Sequence, residues 1–209
     1  MRLRHKANAI PEMKENKKIY FDASENKGKW KEIFGNDNPI HLEIGAGKGD
    51  FITKMANANK EINYIALEMN TNAFVVASRK MLDEEMKNVR AIIGNAENLE
   101  DFFEKGEVDK IYLNFSTPWP KKRHHKRRLS HKRFLDRYKE IISDGAELEL
   151  KTDNEDFFDA SLEYFEDFGM DIEKVDRDLD INESVVTEYE TKFRNRDMPI
   201  YFVAAKFQN

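Results

Sequence analysis

The chain has 209 residues, of which 36% are charged and 40% hydrophobic, with 15 Phe and no Cys. This is the length of one large domain or two small ones, and its apolar residues cluster densely enough to build a core, which excludes a disordered chain. The absence of Cys excludes a disulfide framework, a thiolate metal site and a Cys nucleophile, and no apolar run is long enough to span a membrane.

Residues 1–20 read as a basic, flexible N-terminal arm. The first 18 positions hold six Lys/Arg against two Glu, and the opening MRLRHKANAI has no apolar signal-peptide core, so a soluble, cytoplasmic protein is expected. Pro39 opens a strand at 40–44 (IHLEI), followed by a helical stretch near Asp50–Asn57. A second strand is expected at 62–68 (INYIALE), then a helix over Asn70–Met86 with Phe74, Ala77, Met81 and Leu82 near one face. Strands follow at 89–94 (VRAIIG) and 108–115 (VDKIYLNF). After a basic loop at 117–133, a helix from about Lys132 carries Phe134, Tyr138 and Ile141 at i, i+4 and i+7. A strand at 146–152 (AELELKT) precedes a helix with Phe158, Leu162 and Phe165 at the same spacing. Two last strands lie near 171–175 and at 199–207.

This alternation predicts an α/β, Rossmann-like fold: a mostly parallel seven-stranded sheet with helices on both faces. No helical pattern separates the last two strands convincingly, so an antiparallel C-terminal strand pair is expected. With no internal repeat and no Gly/Ser linker, residues 21–209 count as a single domain.

Charge is distributed unevenly. Residues 121–133 (KKRHHKRRLSHKR) hold eight Lys/Arg and three of the five His without an acid, leaving 27 bases against 40 acids elsewhere, a net of −13. Residues 153–190 carry fifteen acids and two bases. Eight like charges in thirteen positions repel one another, and a polyanion partner relieves that repulsion. The three His stand among cations in a chain without Cys, so no metal site is expected there.

Three of the nine Gly fall in LEIGAGKGD, directly after the strand at 40–44. Gly45, Gly47 and Gly49 permit a tight turn in which backbone N–H groups approach a ligand. Glu43 precedes the turn, Glu68 ends the next strand, and Asn95 follows the third. All three stand at the sheet edge where open α/β folds bind ligands. The ligand is then an NAD-type dinucleotide or S-adenosylmethionine. GxGxG spacing and a carboxylate beside the loop suit the cationic amino acid of S-adenosylmethionine better than a pyrophosphate.

The segment LNFSTPWPKKRHHKRRL at 113–129 resembles the signature of the bacterial tRNA (guanine-N7-)-methyltransferase family of the TrmB type, approximately NF-x-DPWPKKRH-x-KRRL. LEIGAGKG, ELKTD (149–153) and TEYETKF (187–193) resemble further motifs of that family in the same order. The resemblance implies a class I S-adenosylmethionine-dependent methyltransferase that modifies guanine N7 in the variable loop of tRNA, as a monomer or homodimer. It implies that Glu43, Gly45, Gly47, Glu68, Asn95 and Thr117 hold the cofactor. Lys121, Asp153, Thr187, Glu188, Tyr189 and Glu190 would bind substrate, and Arg123, His124, His125, Lys126, Arg127 and Arg128 would bind RNA. Thr117 stands where the family carries its central Asp, which keeps a hydroxyl acceptor but loses the charge. Two other readings stay open: a tRNA-binding protein with weakened catalysis, and a nicotinamide oxidoreductase. Trp119, between two prolines, either anchors its loop or stacks on the target base or the cofactor.

Overall fold

The fold is taken from a computed structural model that describes residues 6, 8–82 and 86–208. In chain order its elements are α1 (Ala9–Lys14), β1 (Ile19–Tyr20), α2 (Trp30–Phe34), β2 (Ile40–Ile44), α3 (Asp50–Ala58), β3 (Asn63–Glu68), α4 (Thr71–Lys80) and β4 (Val89–Ile93). There follow α5 (Leu99–Phe102), β5 (Val108–Asn114), α6 (Lys132–Lys139), β6 (Ile142–Thr152), α7 (Glu155–Phe168), β7 (Asp171–Asp176), α8 (Glu188–Arg194) and β8 (Tyr201–Lys206). None of the helices is long and apolar enough to cross a membrane among the described residues.

The helices begin where side chains replace missing backbone acceptors. Asn70 Oδ1 accepts from the N–H groups of Asn72 and Ala73 to start α4, and Asn154 Oδ1 accepts from Phe157 N–H to start α7. Gly169 closes α7 in the left-handed conformation that an L side chain resists.

The strands join in the order β1-β4-β3-β2-β5-β6-β8-β7, parallel except for the two pairs that β8 makes with β6 and β7. The expected architecture is present, including the antiparallel end, with eight strands rather than seven. The extra one, β1, pairs Ile19 with Ala91 and Tyr20 with Ile92, and two residues are too short to show a period. The arm at 1–20 is packed over its later part. Ala9 and Met13 of α1 are buried, Glu12 forms a two-point pair with Arg79 of α4 (2.5 and 2.8 Å), and Asn16 Nδ2 donates to Ser78 O at 2.9 Å. Residues 1–5 and 7 of that arm lie outside the described residues. The helix expected over 70–86 ends at Lys80, and residues 83–85 likewise lie outside them.

Leu42, Trp30, Phe103, Phe134, Phe158 and Phe165 form a core on one face of the sheet, and Phe51, Phe74, Val75, Met81 and Tyr112 form one on the other. The strand order reverses at β2, between β3 and β5. Helices therefore leave the C-terminal ends of these neighbours towards opposite faces, and a crevice opens there. At the far edge β7 pairs, among the described residues, with β8 alone, and its Glu173, Lys174 and Val175 are exposed. Lys206 pairs with Glu173 at 2.6 Å, and Lys174 pairs with Glu183.

Candidate active site

The crevice starts at the glycine turn. Gly45, Gly47 and Gly49 have φ of 82°, 56° and 73°, so an L side chain at any of them is strained. The turn is tied to its neighbour: Gly45 and Ala46 N–H donate to Leu67 O (2.8 and 3.2 Å). Gly47 N–H donates to Glu68 Oε2 at 2.9 Å, and Asn70 N–H donates to Glu68 Oε1 at 2.7 Å. Glu68 thus shapes the turn while each oxygen keeps a lone pair for a hydroxyl donor. At Gly49 a Cβ would stand 2.6 Å from that of Ala77, so this glycine also permits the contact between α3 and α4.

Glu43, near the end of β2, is buried at 3% exposure. Its Oε1 accepts from Asn114 Nδ2 (3.1 Å) at the end of β5, whereas Oε2 has no partner among the described residues. Burial pushes its carboxyl up to about 7, opposed by the Asn114 hydrogen bond and the Lys151 charge. A buried oxygen without a donor costs about 1–3 kcal/mol. An ammonium group supplied by a ligand at the glycine turn would satisfy it, so the residues present fit the amino-acid end of S-adenosylmethionine. Asn95, after β4, uses Oδ1 to accept from Glu97 N–H (3.0 Å), which leaves its NH2 to offer an adenine edge.

After β5 the backbone takes a costly path. Phe115 (φ 49°) and Trp119 (φ 43°) both adopt the left-handed region, which bulky residues avoid at a cost of about 1–3 kcal/mol. Phe115 N–H donates to Lys151 O (2.8 Å), and Thr117 is exposed beyond it. The half-buried Trp119 ring lies 5.7 Å edge-on from His124 and 5.0 Å from the Arg127 guanidinium, so it anchors the basic 3-10 turn Lys122–Arg127. Lys121, Lys122, Arg123, Lys126 and Arg127 are exposed, with His124 and His125 half-buried among them.

Arg128 departs from the expectation of an RNA contact. It is 3% exposed, its Nε donates to Pro118 O at 2.8 Å, and its guanidinium lies 5.5 Å from the Phe157 ring centre. It braces the Pro-Trp-Pro loop from inside.

The 187–190 stretch divides in the same way. Thr187 Oγ1 accepts from Glu190 N–H (3.1 Å) and starts α8. Glu188 is exposed and pairs with Lys48 of the glycine turn at 2.7 Å, while Lys54 Nζ donates to Val186 O at 2.6 Å. Tyr189 is 56% exposed, its ring 5.9 Å from that of Phe115. Glu190 is instead fully buried, between Lys151 (3.0 Å) and Arg194 (2.8 Å). Asp153 is half-buried just past β6, and burial raises its carboxyl above the usual range.

Glu43, Glu68 and Asn95, then Thr117, Lys121, Asp153 and the Thr187–Tyr189 turn, therefore lie along one edge of the sheet, with Arg128 and Glu190 behind it. Sequence reasoning missed Asn114, Phe115 and Lys151. For Asn114 the available signal was a polar residue ending an otherwise apolar run, in IYLN.

A model of a family described as putative methyltransferases matches residues 37–203. A tRNA (guanine-N(7)-)-methyltransferase of Bacillus cytotoxicus is 45% identical over 100% of this chain and 98% of its own. One of Streptococcus agalactiae serotype III is 44% identical over 99% of this chain and 100% of its own. The solved 16S rRNA methyltransferase KamB superposes with a TM-score of 0.68 at 14% identity, covering 87% of this chain and 93% of that one, a likeness of fold alone.

Proposed function

Because the chain belongs to the tRNA (guanine-N(7)-)-methyltransferase family, we propose that it transfers the methyl group of S-adenosylmethionine to N7 of a guanosine in the variable loop of tRNA, in the cytoplasm. The observation that carries this reading is the open, buried Oε2 of Glu43 beside a glycine turn, at one end of an edge whose other end is a dense run of exposed cations.

Bound S-adenosylmethionine supplies a methyl group on a sulfonium, an electrophile that needs no further activation. Glu43 accepts from the ammonium of its amino-acid end, Glu68 from the ribose hydroxyls, and the Asn95 NH2 donates to the adenine edge. Guanine N7 already carries a lone pair on the major-groove edge of the base, so no side chain has to remove a proton from it. The chain's task is alignment, plus stabilisation of the cationic purine that forms. Asp153 accepts from guanine N1–H and N2–H and supplies negative charge, and Tyr189 offers an exposed ring for stacking. Thr117 gives a hydroxyl where the family's Asp gives a charge. Lys121, Arg123, His124, His125, Lys126 and Arg127 hold phosphates, which positions the tRNA without reading its sequence.

Incubation with methyl-labelled S-adenosylmethionine and tRNA transcripts tests the reading. Label is expected on N7 of a variable-loop guanosine. Binding of tRNA with no label transferred overturns it.

A further inference from the structure

Lys48, between the second and third glycines of the turn after β2, joins the two halves of the ligand edge. Its Nζ donates to both carboxylate oxygens of Glu188, at 3.0 Å to Oε1 and 2.7 Å to Oε2, across 140 positions of sequence. The main chain that carries this lysine is pinned on both sides. Gly47 N–H is bonded to Glu68, Lys80 Nζ of α4 donates to Lys48 O at 3.0 Å, and Gly49 N–H donates to Ala46 O at 2.8 Å. Lys80 also pairs with Asp50, the first residue of α3. Further along α3, Lys54 Nζ donates to Val186 O at 2.6 Å. The corner from Val186 to Glu188 is therefore tied to the cofactor side by two lysines. The start of α8 is fixed separately, by the Thr187 cap and by Glu190 between Lys151 and Arg194. Removing Lys48 leaves those anchors in place and loosens the corner alone.

Stability is not what the pair supplies. The Lys48 and Glu188 side chains are 44% and 68% exposed, and water competes for both charges, so such a pair adds little to a fold. Its effect is to tie one mobile-chained motif to another. Glycine loses more conformational freedom on ordering than any other residue, so a ligand that fills GAGKG orders the backbone from which Lys48 projects. A corner tied to an ordered turn has less freedom left to lose when a second ligand arrives, which favours that second binding without any change of shape.

We propose, on the basis of the functional reading above, that Lys48 is a positioning residue for the substrate corner. Through its pair with Glu188, filling the cofactor turn orders Val186–Tyr189 and makes tRNA binding more favourable. Glu188 then acts on tRNA by placing the corner that presents Tyr189, not by touching the target guanosine itself.

The test compares K48M, E188Q, K48M/E188Q and K48R with the unaltered chain. The two positions are outside the core, and thermal melting verifies that each variant is folded. Hydrogen exchange, read by mass spectrometry with and without S-adenosylmethionine and without tRNA, follows the amides of residues 186–190. The cofactor is expected to slow their exchange in the unaltered chain and in K48R, which keeps the cation, but not in K48M or E188Q. Steady-state assays are expected to show KM for tRNA raised about threefold in each of these two, within the range of an exposed pair. K48M/E188Q is expected to raise it no further, because all three variants lose the same interaction. Additive effects would mean that Glu188 touches tRNA on its own and would overturn the proposal, as would cofactor-dependent protection that persists in folded K48M. A loss of cofactor affinity beyond about tenfold in K48M, measured by equilibrium dialysis, would make Lys48 a cofactor ligand and overturn it too. An unaltered chain that binds S-adenosylmethionine but methylates no tRNA overturns the functional reading instead, and the exchange comparison still decides whether Lys48 orders the corner.

Discussion

Glu43 places a stability cost at the site of binding. Its carboxyl sits near 7 in the folded chain, above the ordinary value of 4.5, so between those limits the folded state holds a proton that the unfolded state has lost. Stability of the unliganded chain therefore falls as pH rises through that window, by up to about 1.4 kcal/mol per unit. Glu43→Gln removes the effect. Relative to the unaltered chain it is expected to melt higher at pH 8 than at pH 5, and dialysis is expected to show at least a tenfold loss of S-adenosylmethionine affinity, about 1.4 kcal/mol. Equal melting differences at the two pH values would refute the assignment. Thr117 makes the opposite case, an exposed residue to which the proposed function gives a chemical rather than a packing role. Thr117→Asp is expected to leave cofactor affinity within about twofold and to raise the single-turnover methylation rate by about tenfold, the value of one added charge interaction in the transition state. An unchanged rate means that the position plays no part in the methyl-transfer step.

At the scale of elements, the loop between β5 and α6 combines two functions that its sequence does not separate. Its run of cations reads as one uniform patch, yet Arg128 turns inward to Pro118 and Phe157 while Arg123, Lys126 and Arg127 stay in water. A linear run cannot tell which side of a 3-10 turn faces the core, and the same blindness hid the burial of Glu190. The strands were legible because their apolar content exceeds that of their flanks, and the glycine turn because its acids recur at successive strand ends. The two-residue β1 offered no period, and the packing of α1 depends on partners in α4, more than sixty positions away. The two classes of arginine separate by experiment. Arg123→Ala is expected to reduce the slope of log affinity for tRNA against log salt by roughly 0.7–0.9, one released counterion. Arg128→Met is expected to keep that slope and lower kcat, because it loosens the loop without removing a phosphate contact. A reduced slope in Arg128→Met would return that residue to the RNA surface.

For the molecule as a whole, the formal net charge of −5 conceals a separation: a cationic loop at one end of the ligand edge and an acidic remainder of −13. Such a field orients a polyanion as it approaches, because the body repels what the loop attracts. The far edge of the sheet has a different task. Among the described residues β7 has a strand partner on one side only, which leaves the other row of backbone donors and acceptors as the geometry onto which a strand of another chain can add. Its sequence, DIEKVD, puts charges at four of six positions, and Glu173 and Lys174 are exposed there and committed to ion pairs. An incoming strand would have to strip water from those charges, so the edge is protected against the association that an apolar edge invites. Substituting Glu173 and Lys174 with Val and Thr should leave the ligand edge untouched, yet light scattering is expected to show particles that grow with protein concentration. Particles that stay the size of the unaltered chain would mean that something other than charge guards this strand. The charges on β7 thus bear on how concentrated the protein can become before it aggregates, a limit set at the edge of the sheet farthest from the glycine turn.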